Sequence, residues 1–335
     1  MKIIKKIVGM SGFPTIMMLI VMLIIVVYMQ PNFFQAQAFR NSINSWAPII
    51  LLSMGQAIVL ISGGLDLSSG TAMSMFLCIM AKTMESQTPA SGFHALILVI
   101  IAVIIVGLVN GIAVGYLRLP PLVATFASSY IWLGIALFFL PTPGGHVTNW
   151  FRIFYDARMV TNIAPGIKSL AEKIPTALIL VLVACLAWFL ISRTRTGRHF
   201  YAVGSNRDTA YDSGISVGKT MIKAYIINAF FILLCAMFFV AQNQSGSARL
   251  GDPLTLQCIA AAVVGGIALT GGKGSVYMAI AGTIVLALVK KIVFFSDIAN
   301  EYQILVGGII IIAAIALSSI VAMRRESAIA KGESG

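Results

Sequence analysis

Largely apolar, uncharged runs recur along the chain at about 13–29, 46–62, 67–81, 94–116, 120–140, 175–192, 224–242, 255–271, 275–295 and 302–322. Most are close to the ~20 residues that a helix needs to cross the hydrocarbon core of a bilayer. The pattern predicts an all-α polytopic membrane protein of about ten transmembrane helices, a single transmembrane domain over 1–335. Two runs fit less well. The run 67–81 is short and rich in Ser, Gly and Met, which makes it the best candidate for a re-entrant segment. The run 275–295 carries Lys290 and Lys291, which must snorkel to an interface.

Charge supplies the orientation. Lys2, Lys5 and Lys6 precede the first run, and Tyr28-Met29-Gln30-Pro31 after it is no small-residue cleavage site, so this run is expected to stay as a span with its N-terminus in the cytoplasm. An even number of spans then returns the C-terminus to the cytoplasm. With that arrangement 14 of the 23 Lys and Arg fall on inside loops. Four of the other nine sit in one long outside loop, 141–174, whose charges weigh less. That loop mixes Pro, Gly, Asn and aromatics, as a docking surface would. A second long loop, 193–223, is inside and strongly basic, with Thr209 to Ile215 reading as a short helix that ends near Gly214.

Composition agrees: 59% apolar residues, 10% charged and a mean hydropathy of +0.96 exclude a pair of soluble domains. The net charge of +12 does not point to nucleic acid, because the basic residues cluster between apolar runs rather than along an aromatic-studded stripe. Cys78, Cys185, Cys235 and Cys258 lie inside apolar runs, and His94, His146 and His199 stand far apart, so neither a redox pair nor a metal site is expected. "GISVGKT" (Gly214 to Thr220) falls short of a phosphate loop, since position 213 would have to be Gly and is Ser, and no strand precedes it. No Ser/His/Asp set argues for an enzyme.

Two octets are alike: "GGLDLSSG" (Gly63 to Gly70) and "GGIALTGG" (Gly265 to Gly272). Gly63-Gly64 and Gly265-Gly266 would break helices on one side of the membrane, as gates of a transporter do, unless the match is chance among Gly-rich segments. Asp66 is the one acid near a membrane interior. It could line a gate, or it could share with Ser68 and Ser69 the capping of the next helix. Gln56, Asn110, Thr125, Asn228, Gln242 and Gln257 are polar positions in or at the ends of spans, suited either to a solute path or to bonding between helices. Carriers driven by ion gradients usually place ionisable groups inside their spans, so this pattern favours a permease powered from outside itself.

Four blocks, "GQAIVLISGGLDLSSGTAMS" (Gly55 to Ser74), "GLVNGIAVGYLRLPPLVATFASSYIWLGIALFF" (Gly107 to Phe139), "GRHFYAVGSNRDTAYDSGIS" (Gly197 to Ser216) and "LTLQCIAAAVVGGIALTGGKGSVYMAIAG" (Leu254 to Gly282), resemble the signature blocks of the ribose-type monosaccharide ABC permeases, in that family's order. The resemblance implies an inner-membrane subunit paired with an identical or sister permease, two cytoplasmic ATPase subunits and a periplasmic sugar-binding protein. ATP-Mg would belong to the partner ATPase, with no cofactor in this chain. Gly204, Ser205, Asn206, Ala210, Gly214 and Ile215 match the family's cytoplasmic coupling loop, with Tyr211 standing where the family has a polar or positive residue. Gly63, Gly64 and Asp66 match its Gly-Gly block, and Arg118, Pro120, Pro121 and Thr125 its Arg-aliphatic-Pro-Pro block. Ser69 replaces a β-branched residue, and the stretch at Arg207-Asp208 is poorer in acid than the family's. Related permeases carry autoinducer-2 or branched-chain amino acids; the Pro-Pro block and coupling loop resemble the sugar branch more closely. A secondary carrier or facilitator is the rival expectation.

Overall fold

A computed structural model describes residues 12–155 and 175–296, together with the helical positions Tyr302, Leu305, Gly308, Ile309 and Ile312. Met1 to Met10, positions 156–174 of the long loop and most of the run 302–322 lie outside the described residues.

The chain forms α1 (Phe13–Met29), α2 (Ala36–Ile61), α3 (Ser69–Thr83), α4 (Pro89–Gly115), α5 (Pro121–Phe139), α6 (Thr176–Arg193), α7 (Arg195–Ser205), α8 (Arg207–Asp212), α9 (Val217–Asn243), α10 (Asp252–Val264) and α11 (Val276–Phe295). Prolines open α1, α4, α5 and α10, where their missing N–H forfeits no helical bond. Six of these helices, α2, α4, α5, α6, α9 and α11, are long and apolar enough to cross a membrane. The outer faces of α4, α5 and α6 expose Ile, Leu, Val and Phe, as a lipid-facing surface requires.

Contacts between turns fix the direction of each pass. At one end Thr15 Oγ1 donates to the Val264 carbonyl (2.7 Å), Gly272 N–H to the Ile61 carbonyl (2.9 Å) and Tyr201 O–H to the Gly274 carbonyl (3.2 Å). At the other, Gly144 and Gly246 exchange backbone bonds (3.0 and 2.7 Å), and His146 N–H donates to the Ala81 carbonyl (3.2 Å). Helices α1, α3, α5, α9 and α11 therefore run one way through the bundle and α2, α4, α6 and α10 run back, while α7 and α8 lie at the first end. Lys291, which the sequence required to snorkel, does so at the second end. Its Nζ donates to Ser42 Oγ (2.7 Å) and rests 4.7 Å from the Phe33 ring centroid and 5.7 Å from that of Trp46.

Two passes are helical for only part of their length. The run 67–81 gives α3, whose 15 residues rise about 22 Å, and the run 255–271 gives α10, whose 13 rise about 20 Å. Neither reaches the ~30 Å of a hydrocarbon core. The missing length is non-helical backbone, 62–68 ahead of α3, which is enclosed by protein where its polar groups find partners, and 244–251 ahead of α10, where Gly246, Ala248 and Gly251 are buried and Gln244 and Arg249 exposed. α10 stops at Val264 because Gly265-Gly266 follows and Gly266 takes φ +83°, a conformation that only Gly adopts freely.

The first turns of α3 and α10 meet inside the bundle and cap one another. Gly70 N–H donates to Thr255 Oγ1 (3.0 Å), and Gly251 N–H donates to Ser74 Oγ (2.8 Å). Each helix thus satisfies an orphan N–H of the other. A Cβ at Gly70 would strike the Gly251 carbonyl, and one at Gly251 the Gly70 carbonyl, so this crossing needs both glycines. α9 packs most extensively on α4 and α2. On α4, Gly107, Gly111 and Gly115 lie against the backbone of Ile226, Ile222 and Gly218 of α9, a small-residue seam with a four-residue period.

Candidate functional site

The break between α2 and α3 enters the bundle carrying Asp66, which is 1% exposed. Ser68 N–H (2.8 Å) and Ser68 O–H (2.6 Å) donate to its Oδ1, and Asn228 Nδ2 donates to Oδ2 (2.7 Å). The chain of donors extends outward: Asn110 Nδ2 donates to Ser68 Oγ (2.8 Å), and Ser128 O–H donates to Asn110 Oδ1 (2.7 Å). Every donor is directed toward Asp66, which acts as acceptor only, as an ionised carboxylate does. Among the described residues no ion pair reaches it, the one present being Lys82 with Glu85. These donors and the positive end of α3 offset the cost of burying its carboxyl group.

The backbone of the break is held from several sides. Thr125 Oγ1 of α5 accepts from Leu67 N–H (2.9 Å), Tyr225 O–H of α9 donates to the Leu65 carbonyl (2.9 Å), and Arg207 of α8 donates to the Gly63 carbonyl (3.1 Å). The Gln56 amide, turned so that its nitrogen faces the carbonyl, donates to Asp66 O and accepts from Asp66 N, each at 3.2 Å. Among the described residues Asn228 Oδ1 has no hydrogen-bond donor, and it faces the α-carbon of Gly55, where a side chain would collide with it. Only a weak Cα–H contact remains available there.

Of the six polar positions singled out in the sequence, Gln56, Asn110, Thr125 and Asn228 converge on this break. Gln242 and Gln257 are half-buried on α9 and α10 and make no hydrogen bond to it. Asp66 does cap α3 through Ser68 N–H, while the Ser68 and Ser69 side chains cap nothing in that helix. The same carboxylate also reaches across to α9, so capping is only part of its work. Ser74, Ser128, Tyr225 and Thr255 were not singled out by the sequence, since a lone hydroxyl in a span carries no period that points to its partner, and Arg207 stood out only as part of an acid-poor stretch.

The segment that resembles a coupling loop lies directly against the break. Gly204 ends the buried side of α7, where a Cβ would strike the Ile61 carbonyl and approach Gly272 N to 2.6 Å. A Cβ on Gly271 would in turn come within 2.8 Å of the Gly63 α-carbon, so the two similar octets and Gly204 share one point of contact. The φ angles of Gly63 (+76°), Gly271 (+87°) and Gly272 (+69°) belong to the left-handed region. Gly64 packs between Val59, Met221 and Tyr225, and Gly265 sits on the Met278 carbonyl.

Beyond Gly204 the chain turns outward. Ser205 and Asn206 are exposed, and Asn206 Oδ1 caps α8 by accepting from Asp208 N–H (2.9 Å) and Thr209 N–H (3.0 Å). Ala210 is buried against the bundle, Tyr211 is 69% exposed and Ile215 is half-buried. The short helix ends at Asp212, and Gly214 follows at φ +79° with open space around its α-carbon. Ile215 N–H donates to the Ala210 carbonyl (3.0 Å) and Gly214 N–H to the Tyr211 carbonyl (2.8 Å), which closes the helix end. "GISVGKT" thus runs from one helix end into the first turn of α9, with no strand ahead of it. Among the described residues no group of His, Cys, Asp or Glu could hold a metal.

Residues 38–315 match the family described as branched-chain amino acid transport system / permease component. The galactose/methyl galactoside import permease protein MglC of Escherichia coli K12 is 27% identical over 318 residues, covering 92% of this chain and 94% of the relative. The ribose import permease protein RbsC of Haemophilus influenzae is 26% identical over 297 residues (89% and 90%). The D-allose transport system permease protein AlsC of Escherichia coli K12 is 27% identical over 277 residues (81% and 80%). No solved structure matches the chain. With six helices of membrane length, this is a multi-pass protein of the bacterial inner membrane. The chain belongs to the family of branched-chain amino acid transport system permease components, and its curated relatives within that family are permeases of sugar importers.

Proposed function

We propose that this chain is the transmembrane permease of an ABC importer that moves a monosaccharide across the inner membrane by ATP-driven alternating access. It works with an identical or sister permease, two cytoplasmic ATPase subunits that bind ATP-Mg, and a periplasmic sugar-binding protein; it has no ATPase site or cofactor of its own. The observation that carries this reading is the meeting of α7–α8 with both glycine breaks at Gly204, Gly63 and Gly271. A displacement of α8 there pulls on the Gly63 carbonyl through Arg207 and reaches Asp66, and from Asp66 it reaches α4, α5 and α9. Two packed arrangements of that contact would serve as the two access states.

In this reading Gln56, Asn110, Thr125 and Asn228 hold the gate from within, and Gln242 and Gln257 remain candidates for the sugar path. The polypeptide makes ten passes with both termini cytoplasmic, the alternating directions of α1 to α6 and α9 to α11 supporting nine of them and the run 302–322 supplying the tenth. The loop 141–174 faces the periplasm, where the binding protein docks.

Gly214→Arg, or deletion of 209–216, tests the reading. The altered chain is expected to insert in the membrane and to lose co-purification of the ATPase and sugar-stimulated ATP hydrolysis. Normal stimulated hydrolysis in either variant would refute the coupling role. Sugar uptake by the purified chain alone in liposomes would establish a stand-alone carrier instead.

A further inference from the structure

The elbow between α6 and α7 carries charge that the transport reading leaves unused. Arg193, Arg195 and Arg198 are exposed, and among the described residues no carboxylate pairs with any of them. Arg198 Nη1 donates to the Arg193 carbonyl (3.2 Å), which ties the Arg198 guanidinium to the end of α6. The Arg193 guanidinium does not extend away from the bundle. It folds back over the Phe189 ring, 4.9 Å from its centroid.

Phe189 belongs to an outward face of α6 with Leu182, Val183, Leu186 and Leu190, all between 44% and 59% exposed. Such a face in a membrane-length helix is covered by acyl chains or by another span. A guanidinium packed on its last aromatic ring lies at the depth where lipid phosphates begin.

We propose that this elbow is a binding site for an anionic phospholipid, with Arg193 and Arg198 gripping the headgroup phosphate and the acyl chains lying along Leu182, Leu186 and Leu190. In the orientation given above the lipid belongs to the inner leaflet. Two fixed guanidiniums add charge-assisted hydrogen bonds to the phosphate, whereas a zwitterionic lipid gains little, since its own ammonium offsets the attraction.

Native mass spectrometry of the delipidated intact complex, titrated with phosphatidylglycerol, phosphatidylcholine and inorganic phosphate, tests the site. Wild type should hold phosphatidylglycerol roughly 25-fold more tightly than R193Q/R198Q, a fivefold loss for each arginine at an anionic surface. R198Q alone, which leaves the Arg193 stack on Phe189, should lose about fivefold. Phosphatidylcholine should bind all three equally. Equal phosphatidylglycerol affinity in wild type and the double variant overturns the proposal. So does inorganic phosphate displacing the lipid at equal concentration, which would make this a free-phosphate site. Loss of the ATPase from the double variant with lipid binding intact would also overturn it and assign the arginines to a protein contact.

Discussion

Asp66 brings a buried carboxyl group into the bundle, and among the described residues no ion pair reaches it, so its place there rests on the donors of Ser68 and Asn228. The members of that network are not equivalent. Asn228→Ala removes the Nδ2 donor to Asp66 Oδ2 and leaves a buried carboxylate oxygen short of a partner, which should cost about 3 kcal/mol. Ser128→Ala leaves only a neutral amide oxygen of Asn110 without its donor, a loss of about 1 kcal/mol. Unfolding midpoints of the two variants in detergent should therefore separate clearly, with Asn228→Ala lower; equal midpoints would mean that Asp66 is not charged. The sequence made Asp66 conspicuous because an acid near an apolar run is rare, and the amides Asn110 and Asn228 for the same reason. It could not connect them, because residues 66, 110 and 228 meet only once α4 and α9 have packed around the break.

The short helices show what periodicity can and cannot reveal. The run 67–81 was visibly too short and too rich in Ser and Gly, and α3 is indeed 15 residues. The run 255–271 looked like an ordinary span, since Gly265-Gly266 and the residues after it are uncharged, yet α10 ends before them. Hydropathy reports solvent, and enclosed non-helical backbone has the same apolar side chains as a helix. A readable signal went unused on α4: Gly107, Gly111 and Gly115 repeat every four residues, the spacing of a close helix contact. A Cβ on Gly111 would lie 2.6 Å from the Ile222 α-carbon, a backbone atom that cannot swing away. Gly111→Ala should therefore destabilise by about 1–3 kcal/mol. Gly134→Ala on α5, where nothing lies within 4 Å, should gain up to about 1 kcal/mol from helix propensity. Opposite shifts in thermal midpoint would establish the seam, and parallel shifts would refute it. Gly204→Ala belongs to the same scale: its Cβ would press on the Ile61 carbonyl at the meeting of α7 with both breaks. Sugar-stimulated hydrolysis should fall at least tenfold while the ATPase still co-purifies, in contrast to Gly214→Arg on the exposed side. Loss of both together would place Gly204 in docking rather than in transmission.

For the whole molecule, the decisive property is sidedness. The two glycine breaks, α7 and α8 share one end, while Glu85, Gln87 and the Gly144–Gly246 pairing share the other, separated by the length of α3 and its non-helical lead. The charge count assigned the first end to the cytoplasm from loop composition alone, and the alternating passes make that assignment a single choice rather than ten independent ones. A membrane-impermeant thiol reagent tests it directly. The native cysteines Cys78, Cys235 and Cys258 are buried and should stay silent, while Cys185, half-buried within α6, sets the background. Tyr211→Cys and Leu269→Cys, at positions 69% and 61% exposed, should label only in inverted vesicles or after permeabilisation. Glu85→Cys, at an exposed position, should label in intact spheroplasts. The reverse pattern in all three would invert the molecule and exclude the ATPase from α8. Labelling of Leu269→Cys and Glu85→Cys from the same face would break the alternation itself, because α3 could not then carry the chain from the paired breaks to the opposite surface.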